Sequence, residues 1–161
     1  MRHHVRTTID APADLVWRTV RDVAEWPSWT PTMTEVRVPD GELRLGGTAV
    51  IRQPGQPVRT WTVTELVEGR SFIWTAKGAG LRLSAGHTVS PEDGKAVVEL
   101  TFDVAGPLAP VASLLAGRAI RRAVDTEAAS LKAWCEKVAR LESSSGRGWS
   151  RFIGWKASPL Q

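Results

Sequence analysis

The sequence predicts an α+β domain in which one antiparallel sheet carries a single long C-terminal helix. Three observations predict it. Between Thr34 and Val104 short alternating runs are separated by turn residues at regular intervals, with no helical pattern among them. Ahead of them a strand-like run leads into helical segments interrupted by prolines. After them apolar residues recur at three- and four-residue steps as far as Leu141.

His4 to Ile9 sets Val5, Thr7 and Ile9 against His4, Arg6 and Thr8, the period-two pattern of a half-buried strand. Asp10-Ala11-Pro12 ends it. Pro12 suits a first helical turn and Asp10 is placed to cap it, so a helix is expected from Pro12 to about Val20, with Ala13, Leu15, Val16 and Val20 inward. Asp22 is placed to cap a second short helix, which Pro27 is expected to stop. This corner holds Trp17, Trp26 and Trp29, three tryptophans within thirteen residues. Prolines on either side of the last two suggest a surface turn, with Trp26 and Trp29 as a gate over a cavity or as core.

Turn chemistry then recurs at Pro39-Asp40-Gly41, Gly46-Gly47, Pro54-Gly55-Gln56-Pro57, Glu68-Gly69, Gly78-Ala79-Gly80 and Pro91-Glu92-Asp93-Gly94. The expected product is a meander of about six strands, about seven with the first. Alternation assigns Leu81, Leu83, Ala85, His87 and Val89 to the inner face, and Val98, Leu100, Phe102 and Val104 likewise. Gly106-Pro107 breaks the last strand. In the helix that follows, Ile120, Val124, Ala128, Leu131, Trp134 or Cys135, Val138 and Leu141 form the apolar stripe, and Gly117 permits a kink or a close approach. Ser143-Ser144-Ser145-Gly146 marks a compositional boundary, giving a domain over residues 1–142 and an aromatic, basic tail over 143–161 with Trp149, Phe152, Ile153 and Trp155.

Composition narrows the function. The 161 residues contain eight Trp, three Phe and no Tyr, so ring area is almost all indole and phenol chemistry is excluded. One cysteine, Cys135, rules out an intrachain disulfide and a cysteine zinc site, and a reducing cytoplasm is the expected compartment. No apolar run has the length of a signal peptide or a membrane span, and integral membrane association is not expected. A net charge of +4 comes without a basic stripe interleaved with aromatics, so nucleic acid is not an expected partner. Arg118, Arg121 and Arg122 read as a solvated helix face or as a protein-binding patch, and the tail as a segment for a membrane surface or a protein partner, or as one that packs on its own domain or is mobile. The residues do not specify an oligomeric state.

Ile9-Asp10-Ala11-Pro12-Ala13-Asp14-Leu15-Val16-Trp17 followed by Arg21-Asp22-Val23-Ala24-Glu25-Trp26-Pro27-Ser28-Trp29 resembles the opening of the polyketide cyclase/dehydrase-type members of the START-like (SRPBCC) superfamily, the Bet v 1-like helix-grip proteins. Arg70 to Trp74, Gly80 to His87, Gly94 to Phe102 and the Gly106-Pro107 break match in the same order, and the resemblance covers roughly residues 3 to 141. It implies a curved sheet wrapped around the long helix, two short helices after the first strand, and a cavity between sheet and helix whose mouth lies near those short helices. It also implies a hydrophobic small molecule in that cavity. Members range from aromatase/cyclases to lipid carriers and co-chaperone domains, so a shared pocket does not fix a shared reaction.

His87 is the sharpest polar candidate, because alternation sets it among apolar residues on the inner face. Imidazole, with a reference pKa of about 6.5, can orient a carbonyl or act as a general base there, or serve as a hydrogen-bonded core group. Trp61, Phe72, Trp74, Leu83, Leu100 and Phe102 share that face and, with Trp26, Trp29 and His87, make up the candidate ligand-binding set; core packing is the competing reading. Arg52, Arg59 and Arg82 alternate with apolar residues and are expected outside, with Arg52 ambiguous because Gly46-Gly47 can shift the register. His3 and His4 face opposite ways on a strand, so no metal site is expected. No phosphate loop or serine elbow is present, and no cofactor is implied.

Three functional readings follow. The first is binding of an aromatic, polyketide-like or lipid-like molecule, on the ground that the inner face offers one His and no paired acid and base. The second is a polyketide cyclase or dehydratase-like enzyme with His87 as the polar participant. The third is a protein-interaction domain.

Overall fold

The computed structural model describes residues 1–150, with the backbone alone for residues 146–150. Strand β1 (Arg2–Ile9) is followed by helix α1 (Ala13–Arg21), a 3₁₀ helix (Val23–Ser28), β2 (Glu35–Arg37), β3 (Thr48–Arg52), β4 (Arg59–Val67), β5 (Ser71–Gly78), β6 (Leu81–Glu92), β7 (Lys95–Ala105) and helix α2 (Ala109–Ser150). The seven strands form one curved antiparallel sheet in the order β1-β7-β6-β5-β4-β3-β2. Local chemistry explains the meander. The β5–β6 and β6–β7 turns are two-residue hairpins at Ala79-Gly80 and Asp93-Gly94, all four residues with positive φ, the arrangement whose twist matches that of the strands.

Several local expectations need correction. Asp10 does not cap α1; Pro12 occupies the cap position, the helix begins at Ala13, and the Asp10 backbone N–H donates to Glu136 Oε1 on α2 at 3.0 Å. The Asp22 side chain makes no cap hydrogen bond either. The second short helix runs through Pro27 to Ser28, because this two-turn 3₁₀ segment forfeits only one donor to the ring. In α2, Cys135 takes the place on the stripe and Leu141 is exposed. Helix α2 continues through the serine run, whose Ser143, Ser144 and Ser145 hydroxyls donate to the Ala139 and Leu141 carbonyls of the preceding turn. Gly117 serves close approach, as an added Cβ would lie 3.1 Å from Met1 Sδ.

The core lies between α1, the sheet and the C-terminal part of α2. Ile9, Val16, Val20, Val89 and Val98 meet Leu131 and Cys135 there, all nearly or fully inaccessible. Helix α2 packs on β1, β7 and α1. Gly106 makes the turn into α2 possible: its φ is +110°, and a Cβ would sit 2.5 Å from the Gly80 carbonyl oxygen. The chain thus crosses the tip of the β5–β6 hairpin in contact with it. From there the first part of α2 passes over the sheet without filling the space beneath.

Candidate functional site

That space is a cavity of about 470 Å³ between the inner face of β3–β7 and residues 112–127 of α2. Its wall follows from strand register. Pairing sets Trp74 opposite Val63 and Ala85, sets Ala85 opposite Phe102, and sets His87 between Phe72 and Leu100. Side chains of one face are thereby brought together across four strands. Of the candidate residues, Trp26, Trp61, Trp74, Leu83, His87, Leu100 and Phe102 border the cavity, with Ile51, Met33, Ile120 and Val124 completing much of the apolar lining. Phe72 and Trp29 do not border it. Phe72 is fully inaccessible and stacks beneath the His87 ring at a centroid distance of 4.5 Å and an interplanar angle of 19°. Trp29 is half-buried and packs behind Trp26 at 5.5 Å.

Trp26 is not at a gate. It has no accessible surface and sits at the inner end of the cavity, with its ring centroid 5.4 Å from Trp74 and 5.0 Å from His87. The prolines suggested a surface turn, but the 3₁₀ helix turns its indole under the sheet, where the ring N–H donates to the Val20 carbonyl at 3.1 Å. That carbonyl belongs to the last turn of α1, where intrahelical partners run out, so one bond satisfies both groups. Trp17, by contrast, faces away and donates to Glu68 Oε1 at 3.0 Å. This bond, helped by Arg21, holds the Glu68 carboxyl below its ordinary pKa.

The polar content of the inner end is a pair. His87 Nε2 lies 3.1 Å from Glu127 Oε1, with the two side chains 5% and 13% exposed. Glu127 comes from α2, so the acid that the inner face of the sheet does not offer is supplied by the helix, against the expectation of no paired acid and base. A signal was there: Glu127 stands three residues after Val124 and four before Leu131, on the apolar stripe. When Glu127 is ionised it can only accept, so the imidazole donates from Nε2, and a neutral ring then carries its lone pair at Nδ1. Nδ1 is buried and has no partner among the described residues. Three further aromatic rings surround the imidazole, Phe72 stacked and Trp26 and Trp74 edge-on.

The mouth lies at the opposite end, between the β3–β4 loop (residues 53–58) and α2. Gln53, Pro54, Gly55, Gln56 and Pro57 line it from one side, Leu115 and Ala119 from the other. The expected position beside the short helices is therefore corrected. Arg59 is also corrected: it is half-buried and lines the cavity, because it shares the parity of Trp61 and Val63 on β4. Its Nε is buried without a hydrogen-bond partner, and no carboxylate of the described residues pairs with it. Arg52 lies outside, paired with Glu35 at 3.3 Å. Among the described residues no three His, Cys, Asp or Glu gather as a metal cluster, and no helix is long and apolar enough to cross a membrane. The Cys135 thiol is fully buried, and burial pushes its pKa up. The side chains of residues 146–161, which include all the aromatic groups of the proposed tail, lie outside the described residues.

None of the curated proteins matches the chain in sequence. Among solved structures, it is similar to a START superfamily protein from Mycobacterium smegmatis at 17% identity and a TM-score of 0.66, covering 85% of this chain and 98% of that one. It is also similar to a hypothetical protein from Helicobacter pylori at 13% identity and a TM-score of 0.70, covering 83% and 86%. A third likeness is to the di-domain ARO/CYC StfQ from the steffimycin biosynthetic pathway, at 11% identity and a TM-score of 0.70, covering 86% of this chain and 52% of that one. At these identities the likenesses show the fold, which is the helix grip. The family model described as polyketide cyclase / dehydrase and lipid transport matches residues 2–136. With a seven-stranded sheet gripping α2 and a cavity between them, the chain belongs to that polyketide cyclase / dehydrase and lipid transport family.

Proposed function

We propose that the chain binds an apolar small molecule, aromatic, polyketide-like or lipid-like, in the cavity between its sheet and α2. The observation that carries this is an open volume of about 470 Å³ walled by Trp26, Trp61, Trp74 and Phe102 and by aliphatic side chains. Ligand pockets generally span roughly 300–1,000 Å³ and combine apolar walls with a few placed polar groups. Here His87 with Glu127 at the inner end, and Arg59 with Gln53 at the mouth, are those groups. The nine residues Trp26, Trp29, Trp61, Phe72, Trp74, Leu83, His87, Leu100 and Phe102 are proposed to contact the ligand or to back those that do. Flat ligands gain from offset contact with indole, worth about 0.5–1.5 kcal/mol for an aromatic pair beyond area burial. Titration of the intrinsic tryptophan emission with a panel of polycyclic and acyl ligands should give saturable change for at least one. A panel with no saturable response would count against the reading.

The His87–Glu127 pair favours one second reading, a cyclase- or dehydratase-like activity. A carboxylate that orients an imidazole at the cavity wall is one part of a general base, and the walls would supply orientation. His87→Ala should then abolish turnover of a bound polyketide-like substrate while binding is kept; undiminished turnover would refute that role. The single cysteine supports a cytoplasmic location as part of the same proposal.

A further inference from the structure

The outer face of the first half of α2 has no role in the fold. Val111, Leu114 and Leu115 are 55%, 85% and 81% exposed, and Leu108 just before the helix is 50% exposed. Arg118, Arg121 and Arg122 are exposed beside them and make no ion pair among the described residues. At about 100° per residue, these six helical side chains fall within roughly 120° of arc. In angular order they alternate: Arg121, Leu114, Arg118, Val111, Arg122, Leu115. The residues that line the cavity, Ala112, Ala116, Ile120, Ala123 and Glu127, occupy a different arc. Leu115 stands at the border, both highly exposed and part of the cavity rim. Across the mouth Pro54, Pro57 and Val58 are exposed as well.

We infer that this face docks the domain onto an anionic phospholipid surface, with Val111, Leu114 and Leu115 entering the headgroup boundary and the three arginines pairing with lipid phosphates. Charge selects this occupant. Residues 106–124 contain three arginines and no Asp or Glu, and the carboxylate next on this arc, Asp125, is paired with His3 at 2.8 Å, so a second copy seated on the same face would set arginine against arginine. A protein interface concentrates apolar groups at its centre and charge at its rim, whereas here each apolar side chain has a guanidinium beside it. A bilayer surface offers apolar matter and phosphate side by side, and basic amphipathic helices lie in it. Docking in this way would bring the rim at Leu115 against the lipid, so that an apolar molecule could pass into the cavity without crossing bulk water. The docking itself does not depend on what the cavity holds.

The test is sedimentation of the full chain with vesicles of phosphatidylcholine, with and without phosphatidylglycerol. Wild-type protein should bind the phosphatidylglycerol vesicles at least about tenfold more tightly, with affinity falling as salt is raised. Leu114→Glu, and separately the triple change Arg118→Gln, Arg121→Gln and Arg122→Gln, should each reduce that binding about tenfold or more while leaving the thermal transition in place. Vesicle binding that is absent, indifferent to lipid charge, or unchanged in both variants would overturn the inference. So would a solution dimer that Leu114→Glu splits while sedimentation stays the same.

Discussion

The two halves of α2 are built for different purposes, although they belong to one continuous helix. From Val124 onward the stripe residues Ala128, Leu131 and Cys135 are buried against β1, β7 and α1, as a core helix should be. Before Val124 the inward side chains are small, mostly alanine, and they border an open volume while leucine and arginine face out. Close packing in one half fixes the helix; its absence in the other leaves room for a ligand. Glu127 stands at the junction and reaches His87 there. A domain of this kind obtains stability and a binding site from separate stretches of the same element.

Substitutions can break or sharpen that contrast. Leu131→Ala, in the packed half, should lower unfolding free energy by about 2–5 kcal/mol, while Leu115→Ala, in the open half, should change it by about 0.5 kcal/mol or less. Urea denaturation of the two variants measures this; similar losses would erase the distinction. At the junction, His87→Ala leaves the Glu127 carboxyl without its partner, and a cost of about 1–3 kcal/mol is expected. A double-mutant cycle with Glu127→Gln should return a coupling of at least about 0.5 kcal/mol.

Smaller effects concern the rims. Arg59→Gln should leave stability within about 0.5 kcal/mol of wild type. It should weaken binding of a fatty acid more than binding of the matching alcohol, because a guanidinium at the mouth favours a carboxylate there. Equal weakening, read by fluorescence titration, would remove Arg59 from recognition. Away from the cavity, the Trp17 and Arg21 contacts lower the Glu68 pKa, so their contribution is present above the ordinary carboxylate range and is lost as pH falls through the lowered value. Glu68→Gln should therefore cost a little stability at neutral pH and nothing once the pH has fallen below that lowered value. A thermal-shift series against pH would show the two curves converging on the acid side.

Much of this was legible in the sequence because it is local. Turn residues and period-two alternation mark the meander of strands along the chain, and they set His87, Leu83, Leu100 and Phe102 on the inner face. What failed was non-local or depended on depth. The His87–Glu127 pair joins groups 40 residues apart on a strand and a helix, and no spacing rule connects them. The burial of Trp26 depends on a 3₁₀ corner folding under the sheet, where proline density had suggested the surface. Arg59 was misplaced although its parity with Trp61 was available, because the flanking loop of residues 53–58 disguised where β4 begins. Pro12 takes the cap position of α1 in place of Asp10, and Asp22 occupies the cap position of the 3₁₀ helix without a side-chain cap hydrogen bond.

The central claim is that the volume under the first half of α2 receives a ligand. Ala85, buried between Trp74 and Phe102, lies on the cavity wall, so Ala85→Phe would occupy that volume from the sheet side. The direct measurement is equilibrium titration of wild type and Ala85→Phe with the apolar dye N-phenyl-1-naphthylamine, read by dye emission. Saturable one-site binding by the wild type, weakened about tenfold or more in the filled variant, is the predicted result. No saturable binding by the wild type, or the same affinity in both proteins, would contradict it.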